Sequence, residues 1–307
     1  MDQNNRICTT CGESLELKPE VKRVTFYGLA ANLILSILKF SVGTLSSSQA
    51  LVADAVHSLS DCITDVAVLV GVDFWTAPAD ANHPHGHGRI ETVLSFVIGL
   101  LIAGVGVGLA YNAIASLHQQ KFSSPGWLAL VAACVSIAVK EGLYRWNMRV
   151  GINVQSAALM ANAWHHRSDA LSSLPVAFAV LGTQIVPTWG FLDHIAAVVV
   201  TVLILKAAWD ISMPALHQLT DKGASLNERD AIFALAASVE KVEAVHALRT
   251  RFVGSGLQID LHVQVDPNLT VHEGHAVTGV VKARLLEKGP NVVDVLVHLE
   301  PYEPAGE

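Results

Sequence analysis

Charge is what this sequence holds least of. Only 15% of its 307 residues are Asp, Glu, Lys or Arg, while 51% are apolar; ordinary soluble domains carry roughly 25% charged residues. That shortage argues against a soluble globule and for a bilayer. Basic residues are the scarcer sign, 20 against 27 acidic, leaving a net charge of -7. Nucleic-acid binding by phosphate neutralisation needs clustered Lys and Arg, so it is excluded as a function. The four cysteines make no disulfide framework: Cys62 and Cys134 fall in apolar runs, and Cys8 with Cys11 forms one CxxC near a start that carries no secretory signal. The N-terminus is therefore expected on a reducing cytosolic face. A lone CxxC lacks the second pair of ligands that a zinc knuckle needs. A GxxxxGK[ST] loop is absent, which argues against ATP as a direct energy source, and so is HExxH, which argues against a membrane metallohydrolase; the chain is not expected to be an enzyme.

Long apolar runs are what it has instead. Six stretches, about Val24 to Val42, Gln49 to Trp75, Glu91 to Leu117, Pro125 to Asn147, Asn153 to Val186 and Phe191 to Met213, can cross roughly 30 Å of hydrocarbon as helices. Arg6, Lys18, Lys22 and Arg23 precede the first, Arg89 follows the second, and Arg145 and Arg149 follow the fourth, whereas the alternate loops hold little beyond Lys121. The positive-inside rule then puts both termini in the cytoplasm. After Met213 the composition becomes that of a soluble domain. Helix, two alternating strands, an amphipathic helix and a last strand are expected over 226–239, 244–252, 257–265, 271–286 and 292–299, with a hairpin turn at Gly254 to Gly256. The order αββαβ fits a small α+β domain with both helices on one sheet face. Three segments result: a cytoplasmic N-terminal stretch 1–23, a six-helix transmembrane domain 24–213, and a cytoplasmic domain 214–307.

The second span reads LVADAVHSLSDCITDVAVLVGV and places Asp54, His57, Asp61 and Asp65 among apolar residues. A carboxylate at mid-bilayer costs several kcal/mol unless it is paired or wet, so such groups mark sites or pathways. His57 and Asp61 are four apart and share a helical face, with Asp54 and Asp65 expected to line the same cavity. The fifth span repeats the spacing in His165 and Asp169. One HxxxD can be a helix contact; two copies in different spans bring two imidazoles and two carboxylates together, a set suited to Zn²⁺. Two imidazoles disfavour Mg²⁺, Ca²⁺ and, less strongly, Mn²⁺, while Fe²⁺, Co²⁺ and Cd²⁺ stay open. Gly104 and Gly108 are expected to permit close helix packing, and Lys140 with Glu141 to lie in a protein-facing or interfacial part of the fourth span.

From the first span to Pro301 these features resemble the cation diffusion facilitators, membrane antiporters with six helices and a ferredoxin-like cytoplasmic domain. The resemblance implies that His57, Asp61, His165 and Asp169 are transport-site ligands and that the chain is a homodimer, with histidine at the first position typical of the zinc-preferring branch. It implies a second site in the loop PADANHPHGHGRIE at Asp80, His83 and His87, with His85 extra and Gly86 and Gly88 letting the backbone turn. It implies regulatory metal at His246, Asp260, His275, His298 and Glu300, with His262 able to stand in for Asp260. It also implies an ion pair of Arg89 with Asp221 across the dimer. Magnetosome relatives with N-terminal cysteine pairs keep iron as an alternative cargo. The functional expectation is proton-coupled export of a divalent cation, foremost zinc, from the cytoplasm across a membrane, the bacterial inner membrane being the one favoured; a membrane-bound metal sensor or scaffold is the competing reading.

Overall fold

The computed structural model of the chain describes residues 19–120, 125–153, 157–254 and 256–303. Arg6, Cys8, Cys11, Lys18, Lys121 and the tip of the expected hairpin, Ser255, lie outside the described residues. The chain divides into two compact units, residues 1–69 with 101–209 and residues 70–100 with 210–307.

The first unit is built from helices: α1 (Pro19–Leu45), α2 (Gln49–Trp75), α3 (Gly88–His118), α4 (Trp127–Asn153), α5 (Ala157–Ser172), α6 (Leu174–Ile185) and α7 (Phe191–Leu219), of which α2, α3 and α7 continue into the second unit. By length and composition α1 from Arg23, α3, α4 and α7 each suffice to cross a membrane. Helix α2 matches them in length at 27 residues while carrying its row of aspartates. The single span expected over 153–186 is two helices, broken at Ser173. Pro175 supplies the reason, since it has no N–H to give Leu171 and its ring crowds that carbonyl. The last span, expected to stop at Met213, runs on through Pro214 to Leu219.

The polarity of this unit is inverted relative to a soluble protein. Phe26, Ile34, Ile37, Leu101, Val107, Leu128, Phe178 and Val202 are all more than half exposed, whereas Asn32, Ser36, Lys39, Asp54, Ser58, Ser136, Lys140, Asn147, His166 and Asp169 are buried. Only a lipid surround makes that arrangement favourable, because apolar surface costs nothing against hydrocarbon and polar groups must find partners inside. Asp193, at the start of α7, accepts from Ser48 Oγ at 2.5 Å and from the Gln49 and Ala50 amides at 2.6 and 3.4 Å, so it caps the N-terminus of α2 from another helix. The expected packing at Gly104 and Gly108 is corrected: a Cβ at either would meet nothing within 4 Å, while one at Gly106 would press on Leu205 and Ile204 of α7 at 2.9 and 3.3 Å.

In the second unit α8 (Leu226–Ala237), β1 (Ala244–Val253), β2 (Gly256–Val265), α9 (Val271–Lys288) and β3 (Val292–Pro301) form a three-stranded sheet of order β1-β2-β3. Strands β1 and β2 are antiparallel; β2 and β3 are parallel, joined by the α9 crossover that parallel pairing requires. Alternate residues Leu257, Ile259, Leu261, Val263 and Val265 face a core with Ile232, Val277, Val281 and Leu285. The opposite face of β2 therefore presents Gln258, Asp260, His262 and Gln264. Both helices begin in a capping box, Ser225 with Glu228 and Thr270 with Glu273.

Candidate metal centres

Three groups of potential ligands gather among the described residues. In the helical unit, one ligand atom each of His57, Asp61 and Asp169 lies within 4.8 Å of the others. Around a tetrahedral ion with bonds near 2.0 to 2.1 Å such atoms sit roughly 3.3 Å apart, so a modest contraction would close the set. Helical periodicity places the donors: His57 and Asp61 are one turn apart on α2, and Asp169 sits one turn before the break that ends α5. Ser173 at that break holds its hydroxyl 2.8 Å from Asp54 Oδ2 and 3.3 Å from the Asp169 carbonyl, which ties the end of α5 to α2. Nδ1 of His57 and Oδ2 of Asp61 are buried without a hydrogen-bond partner among the described residues.

His165 stands at the margin of this group. It is about half exposed, with Nε2 3.8 Å from Asp169 Oδ2, and is not among the three that converge. Two aspartates expected to share the cavity part company. Asp54 is sealed in an ion pair with Lys39 at 2.9 Å, both side chains 1% exposed, and Asp65 is exposed. The feature sequence reasoning missed is Lys140: it is fully buried, and its Nζ lies 2.6 Å from Asp169 Oδ2. The signal was present, because a lysine in an apolar span needs a buried partner, but sequence alone does not name that partner. Glu141 beside it pairs with Arg145 at 2.8 Å.

The loop between α2 and α3 brings Asp80, His83 and His87 together, with ligand atoms inside the same 4.8 Å limit. Asp80 lies 3.4 Å from His83 and 3.5 Å from His87. Gly86 adopts φ +81°, the left-handed turn that lets the two imidazoles approach. Gly88 acts differently: it starts α3 where a Cβ would meet Val253 at 3.1 Å. The backbone amides of His83 and Asn82 donate to Asp80 and, with the nearby imidazoles, hold its carboxyl below the usual carboxylate range. His85 is exposed and outside the trio.

On the open face of the sheet, Glu300 is the hub of a third group. Its carboxylate lies 3.1 Å from His246 Nε2, 2.8 Å from His262 Nδ1 and 3.4 Å from His298 Nε2. Register explains the meeting, since His262 pairs with His246 on β1 and with His298 on β3. A bulge between His246 and Arg249, with Ala247 at φ 50°, re-aims the start of β1 over its neighbour. In this group His246, His262 and Glu300 converge as two imidazoles and one carboxylate, donors suited to Zn²⁺, with His298 beside them. Asp260 is not part of it; it lines a cavity of about 410 Å³ with Arg229, Arg249 and Arg251. His262 stands in its place, and His275, on α9, lies apart within the chain. Arg89 and Asp221 do pair, at 2.5 Å, within one chain and about half exposed.

Comparison with known proteins agrees with this architecture. Residues 25–220 match the cation efflux transmembrane domain and residues 224–302 the cytoplasmic domain of cation efflux proteins. The chain is 34% identical to Metal tolerance protein C1 of Arabidopsis thaliana, over 92% of this chain and 63% of that longer protein. It is 33% identical to the manganese efflux system protein MneS of Bacillus subtilis (strain 168), over 90% of this chain and 93% of that protein. A solved variant of MamM-CTD is similar over 25% of this chain and 94% of that one, with 28% identity and a TM-score of 0.25. The chain belongs to the cation efflux family, integral membrane proteins that move divalent metal cations.

Proposed function

We propose that this cation efflux protein carries Zn²⁺ out of the cytoplasm in exchange for protons, with His57, Asp61, His165 and Asp169 holding the ion in transit. The observation that supports this most is the convergence of His57, Asp61 and Asp169 from α2 and α5 in the interior of a unit whose exterior is apolar. Two carboxylates offset the charge of a divalent ion, and two imidazoles make the site softer than an all-oxygen cage. His165 completes the four by closing from the margin. The relative named for manganese efflux supports Mn²⁺ as the second reading, with Fe²⁺, Co²⁺ and Cd²⁺ behind it.

The loop trio and the Glu300 cluster act in this proposal as regulatory sites, drawing on His246, His262, His298 and Glu300 of one protomer and on His275 at the homodimer contact. Residues 1–23, 24–213 and 214–307 then form a cytoplasmic lead, a membrane domain and a cytoplasmic sensing and dimerisation domain. Both termini face the cytoplasm, in a bacterium across the inner membrane. No covalent bond is made or broken. The experiment is uptake by purified protein in proteoliposomes across Zn²⁺, Mn²⁺, Fe²⁺, Co²⁺ and Cd²⁺. Zn²⁺ is expected to lead; binding without flux of any ion would favour the sensor reading and end this one.

A further inference from the structure

Among the described residues two lysines lie buried in the helical unit, and they are held in opposite ways. Lys39 directs its ammonium to three acceptors, Asp54 Oδ2 at 2.9 Å, Ser58 Oγ at 3.1 Å and Ser173 Oγ at 3.3 Å. Three donors meet three acceptors, so that pair is saturated and fixed. Lys140, at 0% exposure, has a single acceptor among the described residues, Asp169 Oδ2 at 2.6 Å. Asp169 belongs to the group that also gathers His57 and Asp61, and Oδ2 is the oxygen His165 lies nearest, at 3.8 Å.

Charge decides what this contact can be. Two carboxylates with one ammonium leave the empty site at -1 rather than -2, so Lys140 halves the charge buried among apolar helices. A divalent ion on the same carboxylates brings them to zero, and an ammonium still seated on Asp169 would then be an uncompensated positive charge at contact range, where repulsion in a poorly screened interior is strong. Metal and Lys140 therefore exclude one another at Asp169. A lone tether makes the exchange feasible, because one hydrogen bond has to break rather than three.

We infer that Lys140 is a tethered cation that occupies Asp169 in the empty carrier and must be displaced by the transported ion. It sets the affinity for metal and balances the charge of the empty site on its return. The inference rests on the reading of His57, Asp61, His165 and Asp169 as the transport site. Lys140 is a positioning and competing residue, and no metal bond to it is implied.

The test uses the full chain in proteoliposomes and nanodiscs with Zn²⁺ as probe. Replacing Lys140→Met removes the competitor, so the half-saturating Zn²⁺ concentration is expected to fall about tenfold or more, roughly 1.4 kcal/mol, while maximal flux also falls. Lys140→Arg keeps the charge and is expected to keep half-saturation near the wild-type value. Should Arg tighten binding as Met does, packing rather than charge is at work and the inference is overturned; so it is if Met leaves half-saturation unchanged. A merely structural role would lower flux without tightening binding. A second measurement needs no variant. In wild-type protein, saturating Zn²⁺ should raise modification of Lys140 by a small membrane-permeant amine reagent, read by mass spectrometry, with Lys39 unchanged as internal control; equal labelling with and without Zn²⁺ overturns the displacement. The paired substitution His57→Ala with Asp61→Ala separates the two levels. If it loses no bound Zn²⁺ relative to wild type, the transport-site reading itself has failed; if it loses one site and Lys140→Met still binds like wild type, only the role of Lys140 has.

Discussion

In the proposed transport site each aspartate supplies one of the two negative charges that offset a divalent ion, yet the two are not equivalent as targets. Asp61→Ala is expected to abolish Zn²⁺ flux with membrane insertion and thermal stability retained. Asp169→Ala also strands the buried Lys140, and breaking a buried ion pair from one side typically costs about 3 to 5 kcal/mol. It is therefore expected to abolish flux and to lower the unfolding temperature as well, measured by thermal denaturation in detergent; equal stability of the two variants would contradict the pairing. His57→Asp makes the site richer in oxygen, so the Mn²⁺ to Zn²⁺ uptake ratio should rise, and an unchanged ratio would remove His57 from the selectivity argument. The HxxxD pairs were legible in sequence because a four-residue spacing on one helix fixes a shared face. Their environment was not: Asp54 satisfies the same spacing logic, but Lys39 on α1 claims it, and contacts between helices distant in sequence leave no periodic trace.

Elements were legible where local chemistry is strong. The cytoplasmic strands and helices begin and end within about two residues of where alternation and amphipathic spacing put them, whereas the break at Ser173 was not read from the sequence, although Pro175 stands beside it. The bulge at Ala247 was not legible, because an alanine at positive φ has no sequence signature, and without it the meeting of His246 with His262 is not derivable. Replacing Glu300→Ala, the hub of three imidazole contacts, should weaken Zn²⁺ binding to the cytoplasmic cluster while reducing transport only in part. Calorimetry on the full chain with and without the substitution checks this; unaltered stoichiometry and affinity would make the cluster a set of surface groups. The capping boxes carry a pH signature. The Thr270 and Ser225 hydroxyls, with the backbone amides, hold Glu273 and Glu228 below their ordinary value of 4.5. A depressed carboxyl stabilises the fold above its unfolded pKa and loses that contribution as pH falls through its folded pKa. Protection of the first-turn amides of α8 and α9, corrected for the intrinsic exchange rate at each pH, is thus expected to hold above about pH 5 and to fall toward lower pH. Thr270→Ala should cost about 1 kcal/mol at neutral pH.

At the scale of the whole molecule, the inverted polarity of the helical unit and the chemistry of its interior make one functional statement testable. Imidazole binds a metal only after losing its proton, so protons and Zn²⁺ compete for His57 and His165, and metal binding releases protons. A site that faces each side in turn can therefore return loaded with protons after it gives up its ion. A static tetrahedral site also binds metal and also releases protons, but it moves nothing. The expected result in sealed vesicles is therefore linked: Zn²⁺ accumulates against its own gradient only when a proton gradient is imposed, a pH-sensitive dye reports counterflow, and a proton ionophore abolishes both. With Lys140→Met the counterflow per Zn²⁺ should persist while the rate falls, because the lysine balances the empty site and the imidazoles carry the exchange. Uphill Zn²⁺ uptake that ignores the ionophore and moves no protons would overturn antiport, and would leave the converging His57, Asp61 and Asp169 as a site whose energy source lies elsewhere.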